Sequence, residues 1–171
     1  MVLVASLVAI YWQATKSPLP PMPTREWYYD LNSRQLFPGP VGQTPPIAAP
    51  SGSATDGSPA GVRARVFTCG KCSQSERFIG YLETYSSEMK QRRQAMEERV
   101  RAPQPAGPDP SLTMEVIMLE TDLRQGLASL VKRPEDAAWV PIKSPEGQQI
   151  VQAAHRRCGA NAVAKPCSPR K

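Results

Sequence analysis

Alternating apolar and polar residues predict two short hairpins in the first half of the chain. Aromatic residues alternate along Glu26–Asp30, and Gln35–Phe37 can return beside it after the turn-forming sequence DLNSR. Val62–Thr68 alternates like a half-buried strand, and the apolar stretch Phe78–Glu83 is expected to pair with it. The sequence Cys-Gly-Lys-Cys between these two strands suits a tight turn, because glycine accepts positive φ angles.

The second half of the chain shows mixed periodicities. Ser86–Arg101 has a thin apolar face at helical spacing, which predicts a mostly solvated helix. Thr113–Leu119 has apolar residues on both faces and is predicted as a strand. Asp122–Lys132 is predicted as a short helix, and Trp139–Ile142 as a buried extended segment.

The clearest helix signal follows Ser144. Serine is a favourable N-cap residue, and the proline after it suits the first helical position. Ile150, Ala154 and Cys158 then recur at every fourth position, so they share one face of the helix. Gly159 is a suitable C-cap residue, which places Cys158 at the helix end.

Proline and glycine restrict how much of the chain can fold into a core. The 171 residues include 19 prolines and 11 glycines but few aromatic residues, which limits the folded part to about 100 residues. We therefore expect an α+β fold, with small antiparallel hairpins and one or two helices separated by long linkers. The predicted segments are an N-terminal anchor (1–16), a proline-rich spacer (17–25), an aromatic hairpin (26–37), an irregular linker (38–61), a CxxC hairpin with a helix (62–101), a second linker (102–110) and a C-terminal α+β segment (111–171).

The N-terminal sequence VLVASLVAIYW predicts a membrane anchor. The apolar run is shorter than the roughly 20 residues of a standard membrane span. It also lacks the basic start and the small-residue cleavage site of a signal peptide. Tyr11 and Trp12 before Lys16 are typical of the interfacial end of a membrane helix. We expect a single-pass helix whose first turns are missing; a cleaved signal and a buried helix are the alternatives, and the orientation is not readable.

Positive charge is concentrated at the C-terminus. The formal net charge is +6, and no acidic residue follows Glu146. Such a tail suits phosphate or anionic lipid as partners, or a solvated terminus with no partner. It has no aromatic residue that could stack on a base, so no specific nucleic-acid partner is expected. The expected partners are a membrane and a protein, and the sequence identifies no small-molecule substrate.

Four cysteines are the main candidate site. Cys69 and Cys72 form a CxxC pair between two strands, which resembles half of a zinc ribbon, and Cys158 and Cys167 could complete a tetrahedral zinc site. We predict these four residues as metal ligands and zinc as the cofactor, with His155 exposed and not a ligand. Two disulfides, Cys69–Cys72 and Cys158–Cys167, are the structural alternative. A redox-active CxxC pair is a third possibility, although such pairs normally open a helix and no helix is predicted here. Thiols with no common role are the fourth.

The sequence contains few signs of catalysis. It lacks a glycine-rich phosphate loop, a GxSxG motif and an HExxH motif, and it has one histidine. We therefore predict no catalytic residue and no organic cofactor. A structural or interaction module of unidentified process is the favoured function, and a thiol-disulfide oxidoreductase or redox sensor is the alternative.

Several motifs together resemble a known group of proteins. They are an apolar N-terminus, WYYDLNSRQLFPGP, GVRARVFTCGKC, RFIGYLE, WVPIKSPEGQQI and a closing C…CSP. This combination is similar to a group of small membrane-anchored bacterial proteins of the planctomycete type. The resemblance implies a single-pass protein with a small cysteine-containing domain, and it implies no catalytic residue.

Overall fold

A computed structural model describes residues 23–103, 107, 109–159 and 162–169. The predicted anchor, residues 1–16, lies outside the described residues. The predicted transmembrane helix is not found in the described part, where no helix has both the length and the apolar content to cross a bilayer. The strands are β1 (Arg25–Asp30), β2 (Gln35–Pro40), β3 (Gly61–Thr68), β4 (Arg77–Tyr85), β5 (Ser129–Lys132), β6 (Val140–Pro141) and β7 (Lys165–Pro166), and the helices are α1 (Ser87–Arg101), α2 (Pro110–Arg124) and α3 (Pro145–Arg156).

The fold is α+β, as predicted, and the described strands form one antiparallel sheet. Their order is β2-β1-β3-β4-β5-β6, and β7 pairs with the far end of β3 beyond the β1 ladder. Both predicted hairpins are present, β1–β2 and β3–β4. The predicted segments 26–37, 62–101 and 111–171 therefore contribute strands to a single sheet, with β3 near its centre.

A bulge between β3 and β4 determines which side chains share a face. Arg65 pairs with Tyr81, whereas the next residue, Val66, pairs with Ile79, so Gly80 is the extra residue. Because of this extra residue, Tyr81 and Phe78 project to the same side of the sheet, where both contact the Phe67 ring. A Cβ atom at Gly80 would lie 2.6 Å from two Phe67 ring atoms, so the close packing there requires glycine.

Apolar clusters cover both faces of β3 and one end of the sheet. One face carries Tyr29, Val62, Ala64, Val66, Leu82 and Cys167. The opposite face carries Phe67, Tyr81, Val131 and Ala164, packed against Ile150 and Ala154 of α3. A third cluster joins Tyr85, at the end of β4, to helices α1 and α2. Strand β3 is therefore covered on both faces, whereas its alternating sequence predicted burial of one face only.

The predicted strand Thr113–Leu119 is wrong, because this stretch lies in helix α2. Leu112, Leu119 and Leu123 are buried at helical spacing and pack against α1 and Tyr85. Met114, Ile117 and Met118, which made the pattern look strand-like, are exposed on the other side. Asp109 caps the helix by accepting a hydrogen bond from the Ser111 amide at 2.9 Å, and proline stands in its first turn.

Other predictions for the second half had mixed outcomes. Helix α1 is confirmed, with the Ser86 hydroxyl accepting from the Met89 amide at its N-terminus. Helix α3 is confirmed with Ser144 as its N-cap. The helix predicted for Asp122–Lys132 is wrong, because α2 ends at Arg124 and β5 follows. The segment Trp139–Ile142 is extended as far as Pro141, with Ile142 in the turn that follows, and it is only partly buried.

The buried carboxylate of Asp30 fixes the irregular segment 41–60 to the β1–β2 hairpin. Its Oδ1 accepts hydrogen bonds from the Ser51 hydroxyl (2.7 Å) and from the amides of Asn32 (3.0 Å) and Ser33 (3.2 Å). Its Oδ2 accepts from the Ser51 amide at 3.1 Å. Burial raises the pKa of this carboxyl group, but these hydrogen bonds outweigh it and lower the pKa to about 2. The charged form is therefore the one that the fold stabilises.

We expect Asp30→Asn to reduce both stability and its acid dependence. The free energy of unfolding should fall by about 1–3 kcal/mol at pH 7, because the amide nitrogen of Asn cannot accept the Ser51 amide proton. A lowered carboxyl pKa contributes stability above pH ~4 that is lost as the pH falls towards ~2. Urea unfolding at pH 7 and at pH 3 measures both effects. If wild type and variant lose the same free energy of unfolding between pH 7 and pH 3, Asp30 does not contribute to the acid dependence.

Candidate functional site

The four cysteines form two disulfides that join the β3–β4 turn to the C-terminal segment. Cys69 is bonded to Cys158 and Cys72 to Cys167, and each pair has a Cα–Cα distance of 5.4 Å. The prediction that Cys69 and Cys72 lie in a turn between antiparallel strands is confirmed. The alternative pairing within the CxxC motif and within the C-terminal pair is wrong.

The predicted zinc site is also wrong, and the described structure does not show a half zinc ribbon. Zinc binds thiolates, and all four sulfur atoms are in disulfide bonds. Within the described residues, no group of three or more histidine, cysteine or acidic side chains is arranged to hold a metal ion. Cys69, Cys72, Cys158 and Cys167 are therefore structural residues in this fold and not metal ligands.

The pairing follows from where the C-terminal cysteines lie relative to the sheet. Helix α3 ends at Arg156, before the predicted end at Cys158; Cys158 follows two residues later and packs with the cluster that contains Phe67. Cys167 lies on the opposite face, in the cluster that contains Val66, and its amide donates to the Val66 carbonyl at 2.9 Å. Val66 and Phe67 are adjacent in β3, so their side chains point to opposite faces of the sheet. The two disulfides therefore hold the tip of the hairpin from both sides.

The turn is also ordered by its own hydrogen bonds. The Thr68 hydroxyl donates to the Lys71 carbonyl at 2.8 Å and accepts from the Gly70 amide at 3.2 Å. The Lys71 amide donates to the Glu76 carboxylate at 2.7 Å. These bonds order the turn that contains Cys69 and Cys72.

The two disulfides differ in solvent exposure. Cys69 is exposed and Cys158 is partly buried, whereas Cys167 is 4% exposed and packs within an apolar cluster. Cys72 is partly buried, so Cys69–Cys158 is the disulfide with the more exposed residues, and thiol exchange requires such access to a sulfur atom. His155, predicted to be exposed, is exposed on α3 and places its ring 5.1 Å from that of Phe67.

The geometry does not favour the redox alternative. A CxxC oxidoreductase forms its disulfide within the motif and places it at a helix N-terminus, which lowers the thiol pKa. Here Cys69 and Cys72 are bonded to different partners, and the motif leads into strand β4. The redox function stays an untested prediction.

A cluster of charged residues on the α3-facing side of the sheet was missed by the sequence analysis. Arg63 on β3 is within ion-pair distance of Glu26 on β1 (3.1 Å) and Glu83 on β4 (3.9 Å). Arg65 binds the same Glu83 oxygen through two nitrogens, each at 2.7 Å. The side chains of Arg63 and Glu83 are 11% and 7% exposed, so these charges are largely removed from water.

Neutral donors and acceptors complete this cluster. The Arg63 guanidinium also donates to the Gln43 carbonyl at 2.8 Å, and Ser129 on β5 donates to Glu83 at 3.1 Å. The Tyr28 hydroxyl donates to Glu26 at 2.6 Å. Burial and this bond raise the pKa of Tyr28. Burial lowers the pKa of Arg63, but the charges of Glu26 and Glu83 outweigh it and raise the pKa, so Arg63 stays charged.

The cluster borders an open cleft of about 510 Å³. Arg65, Tyr81 and Glu83 of the central strands line it, together with residues from the end of α2 and from the segment that leads into α3. The only sequence signal for this cleft is the pair of arginines that alternate on strand β3. Their partner Glu83 is identified only once the strand register is known.

The chain was also compared with known proteins. No protein-family model, curated protein or solved structure matches it. The similarity to planctomycete-type anchored proteins therefore stays a prediction that rests on the quoted motifs.

Proposed function

We propose that the protein is a structural or interaction module, held at a membrane by its N-terminal segment, whose folded part works in an oxidising compartment. The observation that carries this proposal is the pair of disulfides between the β3–β4 turn and the C-terminal segment. Structural disulfides persist in secreted and envelope proteins and are rare where glutathione and thioredoxin keep thiols reduced.

The position of the disulfides favours a stabilising role over a catalytic one. Cys72–Cys167 packs into one apolar cluster, and Cys69–Cys158 closes the end of α3 against the other. Strand β7 has only two residues, so few backbone hydrogen bonds hold the C-terminal segment to the sheet. The disulfides supply the covalent attachment that this short strand lacks.

The thiol state in the producing cell tests this proposal. Cells are quenched in acid, and the natural full-length protein is alkylated with a mass-tagged maleimide before and after reduction. We expect no label before reduction and four labels after it, with the protein in the membrane fraction. Labelling of all four cysteines without reduction would contradict the oxidising compartment, and recovery in the soluble fraction would contradict the membrane attachment.

A further inference from the structure

The open cleft beside the charged cluster presents several cationic groups with unused hydrogen-bond donors. Arg65 uses Nε and Nη2 on Glu83, and its other terminal nitrogen has no hydrogen-bond partner among the described residues. Arg93 uses Nε on Glu97 at 3.0 Å, which leaves both of its terminal nitrogens without a described partner. Lys143 lines the same cleft and forms no ion pair within the described part of the chain.

The carboxylates in and around the cleft leave several of these donors unused. Glu83 is already bound by Arg65 and Ser129. Glu120 is the other acidic residue of the lining, and it has no ion pair among the described residues. Among the described residues, four cations line the cleft, and Arg63, Arg65 and Arg93 already have carboxylate partners in Glu26, Glu83 and Glu97. Arg65 and Arg93 still keep terminal N–H groups without a described partner, and Lys143 has no described ion pair. These donors can bind an anion, because guanidinium and ammonium groups form their strongest hydrogen bonds with charged oxygens.

Four lining residues can contact an apolar body on that anion, beside the polar residues Gln43, Gln125 and Gln148. The cleft includes the side chains of Tyr81, Tyr85, Leu123 and Ile142. Tyr81 and Tyr85 are largely buried, so their rings belong to the rigid core of the sheet. The volume of about 510 Å³ is within the range of small-molecule sites.

We propose that this cleft binds a small organic anion, a carboxylate or phosphate monoester carried on a body the size of an aromatic ring. Arg65, Arg93 and Lys143 hold the acidic group, and the tyrosine rings with Leu123 and Ile142 contact the body. This assignment rests on the proposed role as an interaction module and names the chemical class of its ligand.

Binding of defined probes to the oxidised full-length protein in neutral detergent tests the assignment. Phenyl phosphate and benzoate are titrated while the backbone amide signals of Gln125 and Gly126 are followed by NMR, with uncharged benzyl alcohol as the comparison. We expect saturable shifts at these amides for the anions and much weaker ones for the alcohol. The stronger of the two anions identifies the acidic group that the cleft prefers.

Charge variants decide whether the cleft is the site. Lys143→Gln is expected to raise the Kd by about fivefold or more, since a charged hydrogen bond is lost. Glu120→Gln is expected to lower the Kd by about twofold, because it removes a repulsive charge. Lys71→Gln makes the same charge change in the CxxC turn, outside the cleft, and should leave the Kd unchanged.

Three results would overturn the assignment: shifts that do not saturate, equal binding of benzyl alcohol, or equal effects of the Lys143 and Lys71 variants. None of these results would contradict the proposed function as a module, which is tested by the thiol state and the location of the protein in the cell. Conversely, reduced thiols in the cell would contradict the proposed function but would leave a measured affinity of the cleft for the probes unaffected.

Discussion

Replacing all four cysteines with alanine should lower the free energy of unfolding by about 7.5 kcal/mol, a loss as large as the whole stability of many domains. Either disulfide alone closes a long loop, since its cysteines are 89 or 95 residues apart. A loop of that length is worth about 4.5 kcal/mol in the unfolded chain. Once one disulfide is present, the other closes a loop of only about 15 residues, worth about 3 kcal/mol.

The matched variants retain one disulfide each. Cys69→Ala with Cys158→Ala, and Cys72→Ala with Cys167→Ala, should each lose about 3 kcal/mol, with a further loss in the second pair because Cys167 is buried. Urea unfolding of the three proteins measures the differences. If one double variant is as unstable as the fourfold variant, its remaining disulfide does not stabilise the fold, which contradicts the loop-closure argument.

The fold could be predicted from sequence wherever the signal is local. The strands β3 and β4 follow from alternation around a turn, and α3 follows from a Ser-Pro start and an apolar face. Helix α2 failed because its second apolar side, with Met114 and Ile117, has no partner in the described structure and imitates a strand. Alternation alone does not separate a strand from a helix with apolar residues on two sides.

The candidate site could be predicted only in part because it depends on long-range geometry. The four cysteines were identified, but their partners depend on the faces of the sheet to which Cys158 and Cys167 are delivered. The charged cluster needs the register that places Arg63 opposite Glu83 and Tyr28. No local sequence pattern encodes that register, and the bulge at Gly80 changes it again within the same strand pair.

Truncating Arg63 to an apolar side chain should destabilise the sheet by about 3 kcal/mol, because it leaves the largely buried Glu26 carboxylate without its ion-pair partner and Glu83 with one cation fewer. Arg63 is the nearest cation to Glu26, at 3.1 Å, and the Glu26 side chain is 18% exposed. The substitution Arg63→Met keeps most of the side-chain volume and removes the charge. The loss in free energy of unfolding measures the cost of an unpaired buried charge and not the net contribution of the ion pair to stability.

Arg65→Met provides the control for this prediction. Arg65 lies two residues further along the same strand and binds the same Glu83 carboxylate, but its side chain is 44% exposed. Its removal should cost about 1 kcal/mol or less, because Arg63 and Ser129 still contact Glu83 and water reaches the site. Urea unfolding at pH 7 with both disulfides intact gives the two losses. Equal losses would show that burial does not distinguish the arginines, and that Arg63 is not the central charge of the cluster.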